Sequence, residues 1–202
     1  MFRRAARSYI LAPFSVVVLL GVPLLAATAL HADVSVADRV IDITQRVGAI
    51  TMSSTADQLK KFYGRPNVVP SGDGLSAVLF PGTPDEVRVE FKTPGKSVSR
   101  VLIGGVGGAW ATANGLHVGT SMEDLEKING GPFDITGVNW TEPARVVSWK
   151  GGNLPAQLYV DLGPQGEMDE ATKRSLRSRQ TFYDSQSRVF RDFFVRRIVI
   201  EW

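Results

Sequence analysis

The chain has no cysteine in 202 residues and only two histidines, His31 and His117. Without cysteine there is no disulfide framework, no thiol nucleophile and no cysteine-ligated zinc site. A lipid anchor of the bacterial lipoprotein kind, which needs a cysteine at the cleavage point, is excluded on the same ground. So few imidazoles exclude a histidine-rich metal site as well. Charge of one sign is also scarce: 23 Lys and Arg stand against 20 Asp and Glu. Arg3, Arg4 and Arg7 hold the whole excess, so the chain from Asp33 onward is balanced at 20 of each sign. A balanced domain has no overall electrostatic footprint for nucleic acid or for an anionic membrane surface. That domain, about 170 residues, is long enough to bury a core without covalent staples.

What is present begins with an address. After the three arginines an uncharged apolar run extends from Tyr9 to Leu30, and small residues close it at Ala27, Thr28, Ala29 and Ala32. This basic, apolar, small-residue order reads as a secretory signal peptide over residues 1–32, which places the rest in a periplasmic or extracellular compartment. The run is also long enough to span a bilayer as a helix, so an uncleaved inner-membrane anchor through residues 9–30 is the alternative. Pro23 favours cleavage, because it ends an apolar helix where a peptidase needs extended chain.

A repeat organises residues 33–202, read as one α+β domain. Ser54 to Pro66 (STADQLKKFYGRP) aligns with Thr120 to Pro132 (TSMEDLEKINGGP) at a constant offset of 66 and without a gap. Each copy carries a helix with its own start and stop. Thr55 with Gln58, and Ser121 with Asp124, stand at capping-box spacing. Leu59 with Phe62, and Leu125 with Ile128, form an apolar stripe, while Gly64 and Gly130 precede Pro66 and Pro132 at the ends. Strands follow each helix, at 77–80, 87–91 and 98–103 in the first copy, and at 133–138, 145–149 and 157–162 in the second. A last strand runs over 195–202. Alternating apolar and polar residues predict antiparallel sheet with one wet face. The predicted plan is α+β: two pseudo-repeats, about 47–104 and 113–202, with helices on one face of the sheet and a glycine-rich linker at 104–108. Glu167 to Gln186 breaks the symmetry as a helical surface excursion with a basic face.

Gly115 to Phe133 (GLHVGTSMEDLEKINGGPF), with Trp140 and the Ser148-Trp149-Lys150-Gly151-Gly152 run, carries a further signal. It resembles a group of functionally uncharacterised exported bacterial proteins that share a helix segment ending Leu-Asn-Gly-x-Pro-Phe, then a tryptophan and a Ser-Trp-x-Gly-Gly. Val138 stands where that group has Phe. At the level of plan, tandem helix-then-sheet units resemble the BamE (SmpA/OmlA) assembly lipoproteins and β-lactamase inhibitor protein. Both work by binding other proteins, which is fold-level analogy.

Residues able to carry chemistry are few. No catalytic, cofactor or metal site is assigned. His117 lies between apolar neighbours with no partner that would make it a general base. Gly104-Gly105-Val106-Gly107-Gly108 lacks the Lys-Ser/Thr ending of a phosphate loop. Asp134, Glu142 and Asp161 are the carboxylates that a glycan hydrolase would use, although Asp134 and Asp161 read as wet-face strand residues. Trp110, Trp140 and Trp149 suit either a core or a contact surface. The expectation is therefore an exported, non-catalytic binding module for a protein or envelope component, with Trp140, Trp149, Trp110 and His117 as candidate contacts. A carboxylate-based hydrolase of envelope glycans is the alternative. A small outer-membrane barrel, suggested by the terminal Trp202, fits poorly with two capped helices.

Overall fold

Both helices begin at the residues whose side chains can cap them. The computed structural model describes residues 37–136, 143–164, 166, 169–171, 174 and 183–202. Helix α1 is Ala56–Tyr63; the Thr55 hydroxyl accepts from the Gln58 amide at 3.2 Å and the Gln58 side chain accepts from the Thr55 amide at 2.8 Å. Helix α2 is Met122–Asn129, where the Ser121 hydroxyl accepts from the Asp124 amide at 3.1 Å. The shorter Asp124 side chain accepts from the Ser121 hydroxyl at 2.8 Å, so the box is one-sided. Gly64 and Gly130 end the helices at φ of 87° and 80°, a region where a side chain would be strained. Leu59 and Leu125 are both buried. Helix α1 packs against the strand that follows it, and α2 against the last strand of the chain.

The strands are β1 (Val40–Asp42), β2 (Arg46–Val47), β3 (Ile50–Thr51), β4 (Val68–Pro70), β5 (Ser76–Leu79), β6 (Val87–Thr93) and β7 (Lys96–Ile103). They continue with β8 (Ala111–Thr112), β9 (Asp134–Ile135), β10 (Ala144–Ser148), β11 (Leu158–Pro164), β12 (Tyr183–Asp184) and β13 (Phe193–Glu201). A small sheet has the order β3-β2-β1-β8, with β1 and β8 parallel. The large sheet is antiparallel in the order β12-β9-β10-β11-β13-β7-β6-β5-β4. From the β7–β13 pair, β7, β6, β5 and β4 run outward on one side, and β13, β11, β10, β9 and β12 on the other.

The register on the two sides agrees pair by pair. Val87, Arg88, Val89 and Glu90 stand opposite Ile103, Leu102, Val101 and Arg100. Leu158, Tyr159, Val160 and Asp161 stand opposite Ile200, Val199, Ile198 and Arg197. A register shift follows Glu90 on one side and Asp161 on the other, after which Phe91 faces Val98 and Leu162 faces Val195. Where β7 meets β13, Leu102 lies directly opposite Val199. Val89, Val101, Val160 and Ile198 turn into the core, so the alternate residues form an outer face turned away from it.

Every expected strand forms within two residues of its predicted ends, except that 133–138 is described only as Asp134–Ile135. The helix expected over Glu167 to Gln186 falls largely outside the described residues; Glu170, Ala171 and Arg174 are helical, whereas Tyr183–Asp184 is strand β12 and Ser185 and Gln186 form a turn, so the helix does not reach its expected end. The glycine run at 104–108 is not a free linker. A Cβ on Gly105 or Gly108 would run into the Pro84 carbonyl. Asp85 beside it takes the Ala109 amide at 2.7 Å and Arg39 Nε at 2.9 Å. Among the described residues no helix is long and apolar enough to cross a membrane.

The Asn-Gly and Ser-Trp-x-Gly-Gly signatures meet at the end of α2. The buried Asn129 side chain donates to the Gly131 carbonyl at 3.0 Å and to the Trp149 carbonyl at 3.1 Å, and the Asn153 amide donates to the Asn129 carbonyl at 2.6 Å. Gly152 is required there, because a Cβ would collide with Asn129. Replacing Asn129 with Ala removes its bonds to the Gly131 and Trp149 carbonyls and from the Leu154 amide, and is expected to cost about 2–3 kcal/mol in urea unfolding. A loss below about half a kcal/mol would show that this junction does not hold the turn.

Candidate functional site

Strand alternation places charged side chains side by side on the outer face. Arg88 and Glu90 come from β6, Arg100 and Leu102 from β7, and Arg197, Val199 and Glu201 from β13. Tyr159 and Asp161 follow on β11, and Arg145 on β10. Cross-strand register turns these into ion pairs. Arg100 Nη1 lies 3.4 Å from Glu90 and its Nη2 2.5 Å from Glu201. Asp161 receives Arg145 Nε at 2.6 Å on one oxygen and Arg197 Nε at 3.0 Å on the other. The second contact lies off hydrogen-bond geometry and is Coulombic in character.

Asp161 was expected on a wet face. It projects from the outer face, yet its side chain is only 1% exposed, while those of Arg145 and Arg197 are 47% and 43% exposed. The guanidiniums keep their heads in water and close over the carboxylate. An acid held this way between two cations is an anchor for arginines.

Two hollows flank the central Leu102–Val199 pair. The larger, about 530 Å³, is bounded by Arg88, Leu102, Gly104, Asp161, Arg196 and Arg197 among others. The smaller, about 290 Å³, lies among Arg100, Arg145, Tyr159, Arg197, Val199 and Glu201. Arg196 is tied back, donating to the Pro164 carbonyl at 2.6 Å and lying 4.4 Å over the Phe194 ring.

The residues proposed from sequence are dispersed. Trp110 is 2% exposed, its indole N–H donates to the Asp85 carbonyl at 3.0 Å, and the Arg39 guanidinium sits 4.9 Å above its ring. Trp149 is 7% exposed and donates to the Leu158 carbonyl at 3.1 Å. Both are core residues, so of the two roles open to them from sequence they take the core and not the contact surface. Trp140 and Glu142 lie outside the described residues. His117 is exposed, but its Nδ1 is engaged by the Gly115 carbonyl at 2.8 Å and lies 3.2 Å from the Thr120 hydroxyl. That ring braces the turn leading into α2. Asp134 is held by Lys150 at 2.9 Å, and Lys150 also reaches Asp184 at 2.8 Å. Asp184 and then Asp134 push the Lys150 ammonium above its usual pKa, and Lys150 pulls Asp184 below its own. Asp134 and Asp161 are thus each occupied by cations, on β9 and β11, with β10 between them. Among the described residues no three His, Asp or Glu side chains gather as metal ligands.

The arginines of the outer face escaped sequence reasoning. Their signal was a cation at the polar phase of successive strands, which becomes a cluster only once the strand order is known. Comparison of the chain with protein-family models, curated proteins and solved structures finds no match.

The exposure asymmetry predicts an asymmetry in stability. Asp161→Ala frees two arginines that already reach water and is expected to cost about 1 kcal/mol, whereas Arg145→Ala with Arg197→Ala strands a buried carboxylate and is expected to cost about 3 kcal/mol. Equal losses in chemical denaturation would contradict the burial argument.

Proposed function

We propose that this chain is an exported, non-catalytic binding module that contacts a protein or envelope component through the outer face of its nine-stranded sheet. The observation that carries the reading is the Arg145–Asp161–Arg197 cluster beside two open hollows. Arginine and tyrosine are enriched in protein interfaces, and a buried acid that fixes two arginine stems lowers the entropy lost when their heads engage a partner. We take the two sides of the sheet as copies of one unit, a short helix followed by antiparallel strands, over about 47–104 and 113–202, with both helices on one face of the sheet. The offset of 66 between the capped helices, the matched pairing of β6–β7 with β11–β13 and the shared position of the register shift all support that reading. Residues 1–32 are proposed as the export signal, delivering the domain to the periplasm or beyond; an uncleaved anchor through residues 9–30 is the alternative.

The carboxylate-hydrolase alternative has less behind it, since Asp134 and Asp161 are each committed to a basic side chain. The binding reading is tested by site-specific photo-crosslinking in intact cells, with the crosslinker placed at Tyr159 on the outer face or at the exposed Lys61 on α1. A discrete adduct from Tyr159 and none from Lys61 is expected. Adducts from Lys61 alone would move the contact to the helical face and overturn the proposal.

A further inference from the structure

The two sides of the outer face correspond residue by residue until one position, where a side chain is missing. Setting β6–β7 over β11–β13 by their shared register places Glu90 on Asp161, Arg88 on Tyr159, Arg100 on Arg197 and Leu102 on Val199. The pseudo-twofold axis then passes between Leu102 and Val199, which are each other's equivalents and directly opposed. Carried along β7 and β13, the same correspondence places Gly104 on Glu201.

That difference empties one arginine of a partner. Arg100 has an acid from each neighbouring strand, Glu90 at 3.4 Å and Glu201 at 2.5 Å, and the hollow beside it is the smaller one. Arg197 has Asp161 at 3.0 Å on one side; on the other, one residue beyond the Ile198–Ile103 pair, stands Gly104. The larger hollow opens there. Among the described residues the Arg197 Nη atoms and the exposed Arg88 guanidinium have no hydrogen-bond or ion-pair partner. The two acids at the rim do not supply one. Glu86 is turned to the Gly82 amide at 2.8 Å, and Asp161 is shared between Arg145 and Arg197.

We infer that the larger hollow receives a carboxylate from an acidic segment of a bound protein, set on Arg197 and Arg88 as the Glu201 carboxylate is set on Arg100. Within the same sheet Glu201 supplies the chemical template for that ligand. A guanidinium offers a carboxylate two parallel N–H donors. Leu102 and Pro143 line the hollow and suit the aliphatic stem of a glutamate. A doubly charged phosphate would lie against Asp161 and Glu86, which disfavours it. The balanced charge from Asp33 onward gives no general attraction to an anionic membrane.

This inference rests on the outer face being the binding surface, and its test separates the two. A Cβ on Gly104 meets nothing nearer than the Arg196 carbonyl oxygen at 4.0 Å, and the residue has no left-handed φ, so side chains fit there. Gly104→Glu is expected to supply the missing partner in cis, and Gly104→Gln to fill the same space without the charge. The full chain is titrated with a fluorescent hexaglutamate peptide, with inorganic phosphate and anionic vesicles as competitors. Binding is expected to weaken about tenfold in Gly104→Glu and in Arg88→Gln, but no more than about threefold in Gly104→Gln. Independently of any ligand, Gly104→Glu is expected to have a higher Tm than Gly104→Gln. Peptide that fails to bind, or binds Gly104→Glu as well as wild type, overturns the inference, as does a Tm for Gly104→Glu no higher than that of Gly104→Gln. Displacement of the peptide by equimolar phosphate or by vesicles overturns the choice of carboxylate. If the Tyr159 crosslink forms equally in wild type and Gly104→Glu, the binding face stands and this site falls.

Discussion

Strands β7 and β13 meet antiparallel down the middle of the large sheet, Ile103 against Ile198, Leu102 against Val199 and Val101 against Ile200. A slip of β13 by one residue against β7 would turn the buried Ile198 and Ile200 outward and Val199 inward. The burial of Val101, Ile103, Ile198 and Ile200 therefore fixes the register. That register also decides which arginine faces which acid on the opposite side. Core packing and surface electrostatics are two faces of a single constraint.

The consequence for function lies in how the outer charges are held. Arg100 sits between two acids, and Asp161 sits beneath two arginines, so most of the cations are oriented before any partner arrives. Exposed ion pairs add little stability, with a median of about 0–1 kcal/mol, so their value here lies in geometry. The apolar core does the work of folding: Trp110 and Trp149 bury their rings and satisfy their indole N–H groups on backbone carbonyls. These tryptophans lie in the core, and the outer face carries arginines instead.

The parts of the fold legible in sequence were those written locally. Thr55, Gln58 and Gly64, and Ser121 and Gly130, mark helix ends through side-chain and φ requirements that act within a few residues, and the helices form where those residues stand. The longer strands show their alternation for the same reason. The two- and three-residue strands β1, β2, β3, β4, β8 and β12 show none, because hairpin closure and distant partners create them; β1 pairs with β8 across some seventy residues of chain. Asp161 was misread because alternation tells which face a residue takes but not that Arg145 and Arg197, from strands on either side, close over it. The proposed correspondence of Gly104 with Glu201 was invisible for a similar reason. Under the proposed repeat the offset of 66 at the helices grows to 97 at β7 and β13, once the residues after β11 are included.

The most direct test of the account reads the guanidinium groups themselves. In an NMR titration of the full chain with an acidic peptide, the Nε–Hε resonances of Arg197 and Arg88 are predicted to shift on binding, while Arg100, already held by Glu90 and Glu201, stays in place. Shifts centred on Arg100, or on α1 and α2 with Arg197 and Arg88 unmoved, would contradict it.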